Sequence, residues 1–432
     1  MPKEQFAVEG LKGFRSLEGS IPVRGAKNAV LKALAASILF DDEVSLQNVP
    51  NIEDVSRAGE LLQYGGATIT RDKAAGTMRV RPPGAWKPEL DPKVGGKLRA
   101  SIVLVGPLLS RVHEARFPFP GGCVLGERPI DLFLEGFKAM GCEVEEPNGD
   151  DVFSIRAPHG LKGARIFFPL VSVGATETLM LAAVLAYGET VLQNCAMEPE
   201  IVALAEFLNV CGADISGMGT PTMRIVGRAG VPLRAGRKTF GTPPDRIEAG
   251  SFIILGALAG KEVRVENCEP TRLGALLALL SRAGVPLEVG DTSVTVRGKK
   301  SYASVSVRTH EYPGFPTDLQ APMAVFLTQA EGEATLLETV FDGRFRYVDD
   351  LVRMGADITV MNPHRILLRG PKPLERKDLE SPDIRGGLAY LIAASVAEGR
   401  STVRNAYLID RGYERIEERL KNIGLNIKRE TV

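Results

Sequence analysis

Apolar and polar positions along the chain change period in the same order six times over. Each segment opens with a run that is apolar on nearly every face, as at residues 29–40, 100–109, 179–186 and 252–259. That pattern predicts a helix buried at a domain centre rather than one lying on a surface. A turn and a short alternating stretch follow, predicting a half-buried strand, and then a second, amphipathic helix, a glycine and another strand. In the third copy these are residues 182–188, strand 190–194 and helix 200–211 with Gly212; in the sixth they are 394–399, 402–405 and 413–423 with Gly424. The glycine that closes the second helix falls at Gly66, Gly141, Gly212, Gly284, Gly355 and Gly424, a spacing of roughly 70 residues. A helix end favours glycine there because the left-handed backbone costs a residue with a Cβ extra energy.

That period is longer than the roughly 20–50 residues of solenoid repeats, and each copy holds enough strand and helix to form one side of a closed domain. The expected class is α/β, with two pseudo-symmetric domains of three repeats each. The strand-like residues 5–8 and the Gly-, Pro- and Arg-rich residues 227–244 are the candidate crossing points. If the N-terminal strand pairs with the last three repeats, residues 1–21 join 236–432 in one domain and 22–235 form the other. The chain then crosses twice between them. A double crossing makes a hinge, and ligand sites favour such domain interfaces.

Composition narrows the chemistry. Lys+Arg and Asp+Glu are equal at 53 each among 432 residues, so the basic excess of a general nucleic-acid binder is missing and any anion must be held locally. The longest apolar runs fall well short of the roughly 20 residues that span a bilayer. The N-terminus carries Glu4 and Glu9 without an apolar signal region, so a cytoplasmic location is expected. Five cysteines without C-x-x-C fit reduced thiols, and four scattered histidines give no metal-ligand spacing, so neither metal nor cofactor is expected.

Fourteen positions before the turn that ends each buried helix stand Lys27, Arg99, Gly174, Arg246, Asp318 and Arg385. A charge at the mouth of a buried helix costs desolvation unless it is paired or faces a wet cavity. One reading is mutual pairing or capping, Arg246 with Glu248 for instance. The other is that helix N-termini converge on a cleft and favour an anion, with Lys27, Arg99 and Arg385 adding charge. Asp318, introduced by Pro313-Gly314-Phe315-Pro316-Thr317, is the exception in sign and stands where a general base could.

Among the cysteines, Cys195 and Cys268 each follow a strand-ending asparagine, and Cys142 and Cys211 flank repeat glycines; all four read as small core or turn residues. Cys123 is different. It lies in Phe119-Pro120-Gly121-Gly122-Cys123-Val124-Leu125-Gly126-Glu127-Arg128-Pro129, an insertion-like loop at the widest repeat interval. Its glycines let backbone approach a ligand, and Arg128 could stabilise a thiolate or bind phosphate; a plain turn cysteine is the alternative. No P-loop, G-x-S-x-G elbow or H-E-x-x-H motif is present. Arg344, Phe345, Arg346 and Tyr347 read as a solvated helix face.

Six stretches together are similar to one family. They are Val23-Arg24-Gly25-Ala26-Lys27-Asn28-Ala29, the Gly121-Gly122-Cys123 loop with Arg128-Pro129-Ile130-Asp131, residues 171–177, residues 245–250, residues 313–318 and residues 409–417. The chain resembles the UDP-N-acetylglucosamine enolpyruvyl transferases of the EPSP synthase superfamily over essentially its whole length. The resemblance implies two inside-out, pseudo-threefold α/β domains with a double interdomain crossing. It further implies transfer of enolpyruvyl from phosphoenolpyruvate to the 3′-hydroxyl of UDP-N-acetylglucosamine, with release of phosphate, at the first committed step of peptidoglycan synthesis. By the same resemblance Cys123 would donate the proton to the phosphoenolpyruvate methylene and be the target of fosfomycin. Lys27, Arg128 and Arg411 would hold phosphate and carboxylate, Arg99 would line the cleft, and Asp318 would take the sugar hydroxyl proton. Asn28, Arg128, Pro129, Ile130, Asp131, Leu132, Ser172, Val173, Gly174, Val340 and Phe341 would contact the nucleotide sugar.

Arg385 belongs to the same implied substrate-binding set, and there the chain departs from the family pattern. Small residues of the Ala-Ser-Ala kind usually follow, whereas this chain has Gly386-Gly387-Leu388, expected to loosen the helix start by about 1 kcal/mol per glycine. Two rival readings are the sister reaction on shikimate 3-phosphate, whose enzyme lacks such a cysteine loop, and a non-catalytic nucleotide-sugar-binding protein, which would be expected to lose Cys123 or Asp318.

Overall fold

The computed structural model describes residues 4–121, 130–147 and 151–431. They form two compact units, one taking the chain up to Arg24 and again from Pro244, the other taking the described residues between 25 and 243. Three sheets belong to each unit, and they follow one plan. In the third repeat, Glu189–Gln193 pairs antiparallel with Thr222–Val226, which pairs antiparallel with Asp214–Ser216; on its other edge Glu189–Gln193 accepts Arg165–Phe167 in parallel. The second repeat keeps the three-stranded part, and its parallel partner shrinks to the single bridge Glu89↔Arg116.

The N-terminal strand Glu4–Glu9 sits between Arg400–Arg404 and Ile427–Thr431, antiparallel to both. It fills the place that the third repeat gives to its own Thr222–Val226, so the last repeat is completed by the first residues of the chain. Leu17–Pro22 runs parallel to Gly260–Glu266 in the same unit. At the other crossing part of the stretch expected to be a polar connection is strand: Thr239–Gly241 pairs in parallel with Val44–Gln47.

Each unit has its own apolar core, built on helices that the sequence marks as apolar all round. Every residue of 247–259 within Arg246–Ala259 is buried, and Asp245 starts that helix by accepting from the amides of Ile247 and Glu248 at 2.8 and 3.1 Å. Strands alternate as their sequences do, Thr77–Arg81 burying Met78 and Val80 between exposed arginines. Among the described residues no helix is long and apolar enough to cross a membrane.

The sixth repeat differs from expectation in its second helix. Instead of one helix over 413–423 there are two short ones, Ala406–Asp410 and Ile416–Asn422, with Arg415 at a φ of 45° between them. The break places Arg411 at the end of the first.

All six repeat glycines adopt positive φ: 109° at Gly66, 89° at Gly141, 102° at Gly212, 83° at Gly284, 104° at Gly355 and 97° at Gly424. A Cβ on Gly424 would meet nothing within 4 Å, so only backbone strain separates glycine from alanine there. Gly424→Ala is expected to lower stability by about 1–2 kcal/mol, read as a shift of the urea midpoint. An unchanged or raised midpoint would contradict the left-handed helix end.

Candidate active site

In the unit built from residues 25–243, Lys27 and Asn28 open the helix Lys27–Ala36. Ala26 offers this helix no side-chain cap, and the first N–H groups of a helix have no intrahelical partner. The turn before it is tight: a Cβ on Gly25 would lie 1.8 Å from the Asn48 carbonyl oxygen. Lys27 Nζ lies 2.9 Å from Oδ2 of Asp54, itself only 2% exposed. The carboxylate orients the ammonium.

One turn into that helix, Lys32 Nζ lies 2.7 Å from Glu177 Oε2 and 3.3 Å from the Asn28 carbonyl. Glu177 is one turn into Val173–Val184. The buried pair therefore ties together the first turns of two helices that begin with predicted substrate residues. Burial pushes the Glu177 carboxyl up to about 7; Lys32 opposes the shift, and Glu200 and Glu198 add to it.

Ser172 caps Val173–Val184, its Oγ accepting from Ala175 N at 3.2 Å. Asp131 and Leu132 begin the helix Asp131–Ala139 behind the buried Ile130. Gly174 brings these segments together, since a Cβ there would lie 3.0 Å from Phe133 Cζ. Arg99 starts the helical turn Arg99–Leu104, donates to the Pro120 carbonyl at 3.1 Å and lies over the Phe119 ring at 5.8 Å. Cys123, Arg128 and Pro129 lie outside the described residues.

The other unit gathers a second set. Asp318 lies in the turn Thr317–Leu319 that leads into Gln320–Gln329. Its Oδ1 accepts from Arg344 Nη2 at 2.6 Å and its Oδ2 from Arg385 Nε at 3.0 Å. Arg385 also donates from Nη1 to the Tyr413 hydroxyl at 2.8 Å. Burial works against the charge on Arg385, but Tyr413, Asp318 and Asp245 outweigh it and hold its pKa well above the ordinary value. Arg344 is raised in the same way, Asp318 and Asp383 outweighing burial. Burial moves the Tyr413 hydroxyl up to about 12, against the pull of Arg385. Mutual pairing of helix-mouth charges thus holds for Asp318 and Arg385, while Glu248 is held by Arg419 at 2.6 and 2.8 Å.

Arg411 is buried two residues before Tyr413. Val340 and Phe341 present their amides to Glu338 Oε1 at 2.8 and 3.1 Å, and the Arg344 guanidinium stacks over the Phe341 ring at 5.3 Å. The helix that carries the glycines after Arg385 starts at Ile384 with a side-chain cap. Asp383 accepts from the amides of Arg385 and Gly386 at 2.8 and 3.0 Å, and a Cβ on Gly387 would lie 2.2 Å from Ser381 Oγ and 2.6 Å from Ile409 Cγ1. Larger neighbours fill the space that a small side chain would take.

Sequence reasoning missed several members of these sets. Arg344 and Tyr347, read as a solvated face, are buried, and Asp54, Glu177 and Glu338 were not singled out. A usable signal existed for Lys32 and Glu177: an opposite charge in each of two all-apolar helices calls for a partner. Among the described residues no three His, Cys, Asp or Glu side chains are grouped as a metal ion would need.

Residues 11–420 match the family described as EPSP synthase (3-phosphoshikimate 1-carboxyvinyltransferase). The chain is 41% identical over 419 residues to a UDP-N-acetylglucosamine 1-carboxyvinyltransferase of Desulforapulum autotrophicum, covering 97% of this chain and 98% of that one. It is 40% identical to the enzyme of that name from Caulobacter vibrioides, covering 96% of each. Among solved structures, the enolpyruvyl transferase NikO from Streptomyces tendae matches with a TM-score of 0.89 at 25% identity, covering 100% of both chains. An EPSP synthase from Acinetobacter baumannii matches with a TM-score of 0.74 at 19% identity, covering 99% of this chain and 100% of that one.

Two outcomes follow from this geometry. Burial raises the thiols of Cys142 to about 12 and of Cys195 and Cys268 to about 11, and raises that of Cys211 as well. Brief alkylation of the folded protein at pH 7.5 should therefore spare all four in a peptide map, and a stoichiometric adduct on any of them would contradict their burial. For the Lys32–Glu177 pair, Glu177→Leu alone should cost about 3–5 kcal/mol by stranding an ammonium, and adding Lys32→Met should restore most of it. The unfolded carboxyl ionises near pH 4.3 and the folded one at about 7, so the native protein loses stability through this group as pH rises across that window. The double variant should lack that component in urea unfolding at stepped pH; a double variant as weak as the single one would refute the pairing.

Proposed function

The chain belongs to the enolpyruvyl transferase family that includes EPSP synthase and UDP-N-acetylglucosamine 1-carboxyvinyltransferase, and from that premise we propose that it transfers enolpyruvyl from phosphoenolpyruvate to the 3′-hydroxyl of UDP-N-acetylglucosamine. Full-length relatives at about 40% identity carry that name, whereas the EPSP synthase likeness at 19% speaks for the fold alone. The observation that carries the reading is Asp318, a carboxylate paired with two buried arginines at a helix start.

Cys123 delivers a proton to the phosphoenolpyruvate methylene carbon, leaving cationic character at the carbon that bears the phosphate. The sugar 3′-oxygen attacks that carbon as Asp318 takes its proton, and the product is a tetrahedral ketal. Return of a methyl proton to the Cys123 thiolate and cleavage of the carbon–oxygen bond to phosphate then give the enol ether and free phosphate. Lys27, Arg128 and Arg411 neutralise the anions through these steps, and Arg99 adds charge beside them. Asp318 must free an oxygen to act as base. The carboxylate of phosphoenolpyruvate competes for the Arg385 guanidinium, so binding of one substrate readies the base for the other.

The nucleotide-sugar contacts are Asn28, Arg128, Pro129, Ile130, Asp131, Leu132, Ser172, Val173, Gly174, Val340 and Phe341, and Arg385 and Arg411 belong to the same substrate-binding set. The reaction places the protein in the cytoplasm, at the entry to peptidoglycan synthesis on which cell shape and division depend.

Phosphate release should require phosphoenolpyruvate and UDP-N-acetylglucosamine together. Release with shikimate 3-phosphate instead, or no release with either acceptor, would sink the reading. Asp318→Ala should lose turnover by roughly a thousandfold or more with the fold retained by circular dichroism, the loss expected when a general base and its charge go together. Fosfomycin should leave one adduct, on Cys123, by mass spectrometry of the digested protein.

A further inference from the structure

Four of the six repeats end their central strand with an asparagine in the left-handed conformation: Asn48, Asn194, Asn267 and Asn405, with φ of 52°, 58°, 52° and 58°. Each uses its amide to reach back across the repeat, Asn48, Asn194 and Asn267 donating to the carbonyls of Thr242, Phe168 and Val23 at 2.9, 2.9 and 2.7 Å, and Asn405 to Glu380 Oε1 at 3.0 Å. The second and fifth repeats break the pattern. In the second, Phe119 occupies the place and leads into the segment that holds Cys123. In the fifth, Gly332–Leu337 is followed by Glu338, a carboxylate only 1% exposed.

Glu338 does something no asparagine could. Its Oε2 accepts from Thr317 Oγ1 at 2.8 Å and Gln320 Nε2 at 3.1 Å, on either side of Asp318. Its Oε1 accepts from the amides of Val340 and Phe341 at 2.8 and 3.1 Å. A carboxylate has about four acceptor positions, and all four are taken. An asparagine offers one acceptor oxygen and would strand buried donors. Arg344 closes a ring, pairing with Asp318 and stacking on Phe341.

We propose that Glu338 is a positioning residue that sets the place of Asp318 relative to the Val340–Phe341 segment, and so fixes which acceptor hydroxyl meets the base. This rests on the reading above in which Asp318 takes the sugar hydroxyl proton and Val340 and Phe341 touch the nucleotide sugar. Glu338 exchanges no proton with substrate; its effect falls on the acceptor and leaves the binding of phosphoenolpyruvate nearly untouched.

The conservative change is informative because Gln320 Oε1 has no hydrogen-bond partner. If residue 338 becomes an amide, Gln320 can turn its own amide over and accept from it. Glu338→Gln should therefore change steady-state constants less than about threefold, whereas Glu338→Met should raise KM for UDP-N-acetylglucosamine and lower kcat by roughly tenfold each, with KM for phosphoenolpyruvate within about twofold. A purely structural role would lower active enzyme and leave both KM values alone. Unchanged KM values, or equal rises in both, would overturn the proposal. Should Glu338→Met not fold, Glu338→Gln placed in a Gln320→Leu background tests the same point: relative to Gln320→Leu alone, it should lose the rescue and show the acceptor-specific KM rise. No difference between the two backgrounds would refute the ring. Asp318→Ala run in parallel separates the two readings, since full turnover there removes the base itself, whereas lost turnover with a kinetically silent Glu338→Met removes only the positioning role.

Discussion

Placing a charge at the mouth of an apolar helix is the constraint on which the rest of this protein depends. The helix buries its sides in a core that tolerates no unpaired ion, while its first turn offers unsatisfied N–H groups. At Lys27, Asp318 and Arg385 the problem is solved with a partner: Asp54 for the lysine, Arg344 and Arg385 for Asp318, and Tyr413 beside Arg385. Such partners hold each charged atom in place, and under the proposed reading they are the pre-organisation from which electrostatic catalysis draws most of its strength.

Pseudo-symmetry makes the exceptions readable. Six copies of one plan share the same helix-ending glycine, and four share the same strand-ending asparagine. The copies that abandon the asparagine are the second and the fifth, the one bearing the Cys123 segment and the one bearing Asp318. Four repeats keep the local cap, and in the fifth Glu338 takes its place and reaches further, to Thr317 and Gln320 on either side of Asp318.

The repeats, the class of fold and the positions of the helix mouths were legible in the sequence because periodicity is a local signal repeated six times. The glycines at Gly66 through Gly424 needed no partner to be recognised, since their left-handed backbone is dictated by the helix end alone. The side chains that orient the site were harder. Arg344 meets Asp318 from a distant stretch of chain, and an arginine between aromatic residues looks like a surface face until the fold buries it. The crowding at Gly387 was hidden for a related reason: helix propensity is a property of the residue, and whether Ser381 and Ile409 crowd the site is a property of the packing. Lys32 and Glu177 stood in plain view inside two apolar runs, where pairing was the only inexpensive solution.

The central claim is that this chain carries enolpyruvyl by addition and elimination, with a methyl group present for part of each turnover. The most direct measurement is the isotopic content of the product made in deuterium oxide. Protonation of the methylene followed by loss of a methyl proton should place solvent deuterium in the vinyl group of the enol ether, seen as a mass increase and as reduced vinyl proton intensity by NMR. A product formed at a normal rate with its vinyl group wholly free of deuterium would contradict the account.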